Sequence, residues 1–184
     1  MTTGERSRDA ALRERARRVV PGGMTGHLHA ALLPPGYPQF FASGSGCRVV
    51  DVDGREFLDF MCAWGPNVLG YRHPEVEAAA ARQQALGDCL NGPSPWMVEL
   101  AERLVDTVAH ADWAMFQKNG TDATTVALMI ARAATGRRKV IVARRSYHGA
   151  APWCTPVPAG TTAEDRAHRV EITYNDIDGL ESAF

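Results

Sequence analysis

The stretch from Phe116 to Thr125 constrains the fold most. It runs Phe-Gln-Lys-Asn-Gly-Thr-Asp-Ala-Thr-Thr and reads as the end of a strand, a tight turn at Gly120 and the start of a helix. Such a turn aims free backbone N–H groups and the positive end of a helix dipole at one point, which suits a phosphate. One helix and one strand later comes Tyr147-His148-Gly149, where a parallel sheet builds its ligand crevice. A phosphate seat beside an aromatic platform is what a ring cofactor with a phosphate tail requires. Taken singly, Gly120-Thr121 reads first as an ordinary helix N-cap, and Tyr147 as an ordinary loop aromatic.

Periodicity places these motifs on elements. Trp113–Gln117 reads as a short apolar strand, Thr121–Thr135 as a helix closed by Gly136, and Val140–Ala143 as a buried strand. Together they predict a βαβ unit with a right-handed crossover. Upstream, residues 5–20 predict a helix with a basic face, ended by Pro21, and residues 21–46 are Gly- and Pro-rich irregular chain. Asp53-Gly54 lies between two short alternating runs and predicts a hairpin with a type I′ turn. Residues 61–73 form a Gly-rich loop. Pro74 opens a helix that reaches about Gly87. Ser94-Pro95 opens another, with Met97, Leu100, Leu104 and Val108 on one face. Arg169–Tyr174 alternates like a strand, and Asn175 reads as the cap of a last helix.

Composition narrows the function classes. A net charge of −1 gives no footprint for nucleic acid or an anionic membrane. No two of Cys47, Cys62, Cys89 and Cys154 form a C-x-x-C pair, so reduced thiols in the cytoplasm are expected rather than a zinc or redox site. His27 and His29 share a loop without a nearby carboxylate or thiol, so no metal site is expected. There is no secretory h-region and no apolar run of membrane-spanning length. At 184 residues, with so few strands for a parallel sheet, the chain reads as the front of a larger protein.

These residues assemble a family pattern. Val20 to Gly23, Val50 to Gly54, Trp64 to Gly70, His73-Pro74, Asn119 to Thr124, Ala131-Arg132, Thr135 to Arg137, Tyr147 to Gly149 and Tyr174 to Asp176 occur in one order. In that order the chain resembles the class III pyridoxal-phosphate-dependent aminotransferases of fold type I, most of all proteins like glutamate-1-semialdehyde 2,1-aminomutase. The resemblance implies an α/β fold: an N-terminal interface segment with helix, loop and hairpin over 1–65, then the first part of the cofactor-binding large domain over 66–184. It implies pyridoxal 5′-phosphate as cofactor. Gly120 and Thr121 would bind its phosphate, with Asn119 as a further amide donor. Tyr147 would stack on the ring with His148 beside it, and Trp64 and His29 would line the substrate pocket.

In the aminomutase, the position aligned with His29 holds an arginine that grips the substrate carboxylate, and a serine aligns with Gly26. Histidine does not replace that bidentate, permanently charged grip, so glutamate-1-semialdehyde is not the expected substrate. The family works through a Schiff-base lysine, expected beyond Phe184. The chain has only two lysines, Lys118 and Lys139, and neither is placed for that role. The family implies a cytoplasmic homodimer acting on a small amino donor and a carbonyl acceptor, by transamination or as a mutase. Three expectations follow for the chain itself: the N-terminal part of such an enzyme, one half of a split enzyme completed by a second chain, or a catalytically inactive binding or assembly module.

Overall fold

The structure, a computed structural model, describes residues 7–25 and 28–184. Gly26 and His27 therefore lie outside the described residues. The chain divides into two compact units, Met1–Pro93 and Ser94–Phe184.

In the first unit, α1 (Arg8–Val19) is capped by Ser7, whose Oγ accepts the Ala10 amide. A second anchor comes from far along the chain: the Asp53 carboxylate accepts the Arg8 N–H at 2.6 Å. Asp9, buried on the same turn, accepts the amides of Gln39 (2.9 Å) and Phe40 (3.0 Å) and the Arg13 Nε–H. These bonds tie the helix to the entry of a three-stranded antiparallel sheet, β1 (Phe41–Ser45), β2 (Arg48–Asp51) and β3 (Glu56–Leu58). β1 falls in the stretch expected to be irregular. Its Ala-Ser-Gly-Ser run carries little strand propensity, and pairing with β2 from Phe41↔Asp51 to Ser45↔Arg48 makes it a strand.

The predicted hairpin joins β2 and β3, but its turn differs. The register Val50↔Glu56 and the Asp51 N–H to Arg55 carbonyl bond leave Val52, Asp53 and Gly54 in the loop, with positive φ at Gly54 (+83°) and not at Asp53. The cause is Asp51, whose fully buried carboxylate accepts the amides of Asp53 (3.0 Å) and Arg55 (2.8 Å) and the Arg55 Nε–H (2.7 Å). Those bonds favour the longer loop with one left-handed residue over a type I′ turn. The unit closes with α2 (Pro74–Leu86).

Burial pushes the Asp9 and Asp51 carboxyls up, but the arginine and amide donors around each outweigh it, and both lie below the usual carboxylate value. A carboxyl whose folded pKa is depressed supplies stability above its unfolded value, about 3.9, and loses it as pH falls through the folded value. Thermal stability is therefore expected to drop below about pH 4. The Asp9→Asn, Asp51→Asn double variant should be less stable at neutral pH and show a flatter acid slope. Melting monitored by circular dichroism checks this; equal slopes for the two proteins would refute it.

The second unit holds α3 (Pro95–Thr107), α4 (Gly120–Thr135), β4 (Val140–Ala143), α5 (Ala163–Arg166), β5 (Arg169–Ile172) and α6 (Ile177–Ala183). Asn119 Oδ1 caps α4 by accepting the Asp122 amide, and Gly136 closes it in the left-handed conformation. β4 and β5 pair in parallel, from Val140↔Arg169 to Ala143↔Ile172. Residues 113–117 are not a strand, so the parallel pair is β4–β5 rather than the predicted βαβ unit. A strand needs a ladder partner, and among the described residues this segment has none.

α5 was not expected, although Thr162 and Asp165 form a capping box around its first turn. Asp176, not Asn175, caps α6: Asp176 Oδ1 accepts the Gly179 amide, and Asn175 takes a left-handed φ of +62°. The predicted apolar stripe of α3, with Met97, Leu100, Leu104 and Val108, is exposed. Among the described residues no helix is long and apolar enough to cross a membrane, and no His, Cys, Asp or Glu group gathers to hold a metal.

Candidate cofactor site

The site in the second unit is built where α4 begins and β4 ends. The first-turn amides of Gly120 and Thr121 have no acceptor within the helix. β4 ends at Ala143 and runs through Arg144-Arg145 into Ser146, Tyr147 and His148, on the carboxyl side of the strands. Ser146 Oγ donates to the Tyr174 hydroxyl (2.9 Å) and the Arg144 N–H to the Ile172 carbonyl (2.7 Å), fixing this exit against the end of β5.

The structure brings the two predicted clusters together. Thr121 Oγ1 accepts the Ala150 N–H at 3.1 Å, and Thr124 Oγ1 donates to the His148 carbonyl at 2.9 Å. With one lone pair of Thr121 Oγ1 taken by Ala150, its own O–H remains available to an acceptor in front of the helix. Tyr147 is exposed (58%), presenting its ring. His148 Nε2 is buried without a hydrogen-bond partner among the described residues, an arrangement native proteins normally avoid.

Asn119 stands at the N-terminus of α4. Its Oδ1 caps the helix, and its Nδ2 donates to the Asp122 carboxylate at 2.9 Å. Lys118 and Lys139 are both exposed.

The two predicted substrate residues belong to the first unit. His29 caps a short 3₁₀ turn, Ala30–Leu32: its Nδ1 accepts the Ala31 amide at 3.1 Å. Accepting at Nδ1 leaves Nε2 as the ring's N–H. Trp64 is exposed (74%) and ends a run of three left-handed residues, Cys62 (φ +50°), Ala63 (+51°) and Trp64 (+67°). Non-glycine residues pay roughly 1–2 kcal/mol each for that conformation, so the surroundings must hold it. Asp59 does much of this: its Oδ1 accepts the amides of Met61 (2.8 Å) and Cys62 (3.3 Å), and its Oδ2 accepts the Tyr71 hydroxyl (2.9 Å). These amides and the Tyr71 hydroxyl hold the Asp59 carboxyl below its ordinary value; the bond to Asp59 raises that of Tyr71. An apolar groove of about 720 Å³, lined in part by Phe41, Phe57, Phe60 and Met61, lies against this turn.

The model of the Aminotransferase class-III family matches residues 34–169. The chain belongs to that family. It is 55% identical to the aminopentol aminotransferase of Sphingopyxis macrogoltabida, over 100% of this chain and 43% of the relative. It is 35% identical to the glutamate-1-semialdehyde 2,1-aminomutase of Leptothrix cholodnii, over 97% of this chain and 44% of that protein. The solved structure of the FumI protein of a Sphingopyxis species, in its PLP internal aldimine form, superposes with a TM-score of 0.91. It is 55% identical, and the match covers 96% of this chain and 43% of that one. The fold is thus the N-terminal portion of the fold type I arrangement. The chain spans less than half the length of these relatives.

Sequence reasoning missed Thr124, Thr125, Ala150 and Trp153. Trp153 Nε1–H donates to Thr125 Oγ1 at 3.1 Å. The signal was present: positions 121, 124 and 125 share one face of a helix.

Proposed function

We propose that this chain is the N-terminal part of a pyridoxal-phosphate-dependent aminotransferase that takes its amino group from an amino alcohol. One observation supports the cofactor reading: Gly120 and Thr121 open α4, and the loop carrying Tyr147 and His148 is bonded to that same turn through the His148 carbonyl and the Ala150 amide. Bound there, the cofactor supplies an electron sink for bonds to the substrate carbon. Gly120 and Thr121 would hold its phosphate, the Asn119 cap fixes the turn that presents them, Tyr147 would lie against the ring, and His148 would offer Nε2 as a polar partner. The Schiff-base lysine comes from the C-terminal part of a family-length protein. The same reading takes residues 66–184 as the start of the cofactor domain and the whole as a cytoplasmic homodimer.

The substrate class rests on His29. With Nδ1 committed to Ala31, it presents a single N–H, suited to a hydroxyl, and lacks the fork that grips a carboxylate. The 55%-identical relative is named for an aminopentol, which agrees with this choice. Trp64, exposed on its left-handed turn, is a second candidate for substrate contact in this reading.

The test is pyridoxal phosphate binding to the family-length protein, followed by absorbance. Thr121→Val removes a hydrogen bond to a charged group, worth about 1.5–3 kcal/mol, so the dissociation constant is expected to rise about 10- to 100-fold. Unchanged affinity would remove Thr121 from the site. Turnover of glutamate-1-semialdehyde in preference to amino alcohols would overturn the substrate assignment.

A further inference from the structure

α4 carries Thr121, Thr124 and Thr125 at i, i+3 and i+4, and the structure uses all three against one loop. Thr121 accepts the Ala150 amide, Thr124 donates to the His148 carbonyl, and Thr125 accepts the Trp153 indole N–H. A threonine inside a helix ordinarily turns its hydroxyl back to its own helix, as Thr135 does to the Ala131 carbonyl at 2.7 Å. Thr124 also lies 3.1 Å from the Thr121 carbonyl, but its contact to His148, 24 residues on, is the shorter at 2.9 Å. Thr125 turns wholly outward, to Trp153. Gly149 is buried between these contacts, with Cys154 buried behind it. On the far side the Arg166 guanidinium donates to the Thr155 carbonyl at 3.1 Å, closing the loop from α5.

We propose that Thr124 and the Thr125–Trp153 pair are positioning residues that hold His148 and Tyr147 at a set height over the Gly120–Thr121 seat. This rests on the cofactor reading above. None of the three is assigned a cofactor contact; each acts through the backbone of the loop. Thr124 sets His148 directly through its carbonyl. Trp153 fixes the distal end, so that Gly149 and Ala150 cannot lift from Thr121. A loop held from both sides binds its ligand without first being ordered, so loosening it weakens binding even though every ligand-touching side chain remains.

The test uses the family-length protein and two readouts: pyridoxal phosphate affinity by fluorescence titration, and backbone amide exchange across Tyr147–Cys154 without cofactor. Thr124→Val and Trp153→Phe are each expected to raise the dissociation constant about fivefold to tenfold, the effect of losing one buried hydrogen bond, and to speed exchange in that loop. Thr124→Ser, which keeps the hydroxyl, should restore both. A purely structural role would lower melting temperature while leaving affinity and local exchange at wild-type values, and that result overturns the proposal. Loss of affinity that serine fails to rescue overturns it too. Wild-type protein that binds no pyridoxal phosphate overturns the cofactor reading, and the proposal with it; wild-type affinity in both variants overturns the proposal alone.

Discussion

Replacing Gly149 with alanine is expected to cost about 3 kcal/mol of stability and to weaken cofactor binding. Two independent effects add. The residue has φ of +124°, a region that side-chain-bearing residues rarely adopt. A Cβ there would also stand 3.1 Å from Cys154 Sγ, 3.1 Å from Thr121 Oγ1 and 3.2 Å from Thr121 Cα. The last is backbone of α4 and cannot swing aside. The loop is expected to shift by a few tenths of an ångström, lengthening the Ala150 to Thr121 bond and loosening His148 against Thr124. Urea unfolding and cofactor titration of the same variant measure both consequences. A Gly149→Ala, Cys154→Ala double variant should recover only part of the loss, because it relieves one contact and leaves the backbone angle. Destabilisation under about 1 kcal/mol would show that this loop is not packed on the helix as described.

The second large effect belongs to the first unit. Gly70→Ala is expected to destabilise by about 2–4 kcal/mol. Gly70 has φ of +78°, and its Cβ would lie 2.7 Å from the Gly46 carbonyl oxygen and 3.0 Å from Gly46 Cα, both backbone. Gly46 and Tyr71 exchange a pair of bonds here, Gly46 N–H to the Tyr71 carbonyl (2.9 Å) and Tyr71 N–H to the Gly46 carbonyl (2.8 Å). The Tyr71 ring sits over Gly44, where a Cβ would come within 2.7 Å of it. Pushing Gly70 away therefore moves Tyr71, releases its hydroxyl from Asp59 and slackens the left-handed turn that carries Trp64. Thermal melts should show the stability loss. Gly92→Ala, with open space and no positive φ, is the control and should change stability by less than about 0.5 kcal/mol.

Local chemistry made much of this legible in the sequence. α2 and α3 begin where Pro74 and Pro95 place them, although Ser94 makes no side-chain cap bond, and α4 begins at Gly120 and ends at Gly136, because caps and breakers act within a few residues. The β2–β3 hairpin and strand β4 appear where the short apolar runs lie. The class III family was readable from nine short segments in order, and the family match and the solved structure agree with it.

What the sequence determined by itself is therefore the principal helices, the β2–β3 hairpin, the family and the turn at Gly120. Tertiary structure decided everything carried by bonds between distant residues. It gave β4 the partner β5 in place of residues 113–117, and made a strand of the weakly β-prone Phe41–Ser45. It lengthened the hairpin turn around buried Asp51, and used Asp53, expected only as a turn residue, to anchor α1 from 45 residues away. It turned three threonines on one helix face toward a loop whose contacts lie 24 to 29 residues on. No periodicity encodes such pairings: a hydroxyl or carboxylate reads the same in sequence whether it meets water, its own helix or a distant amide, and only packing settles which.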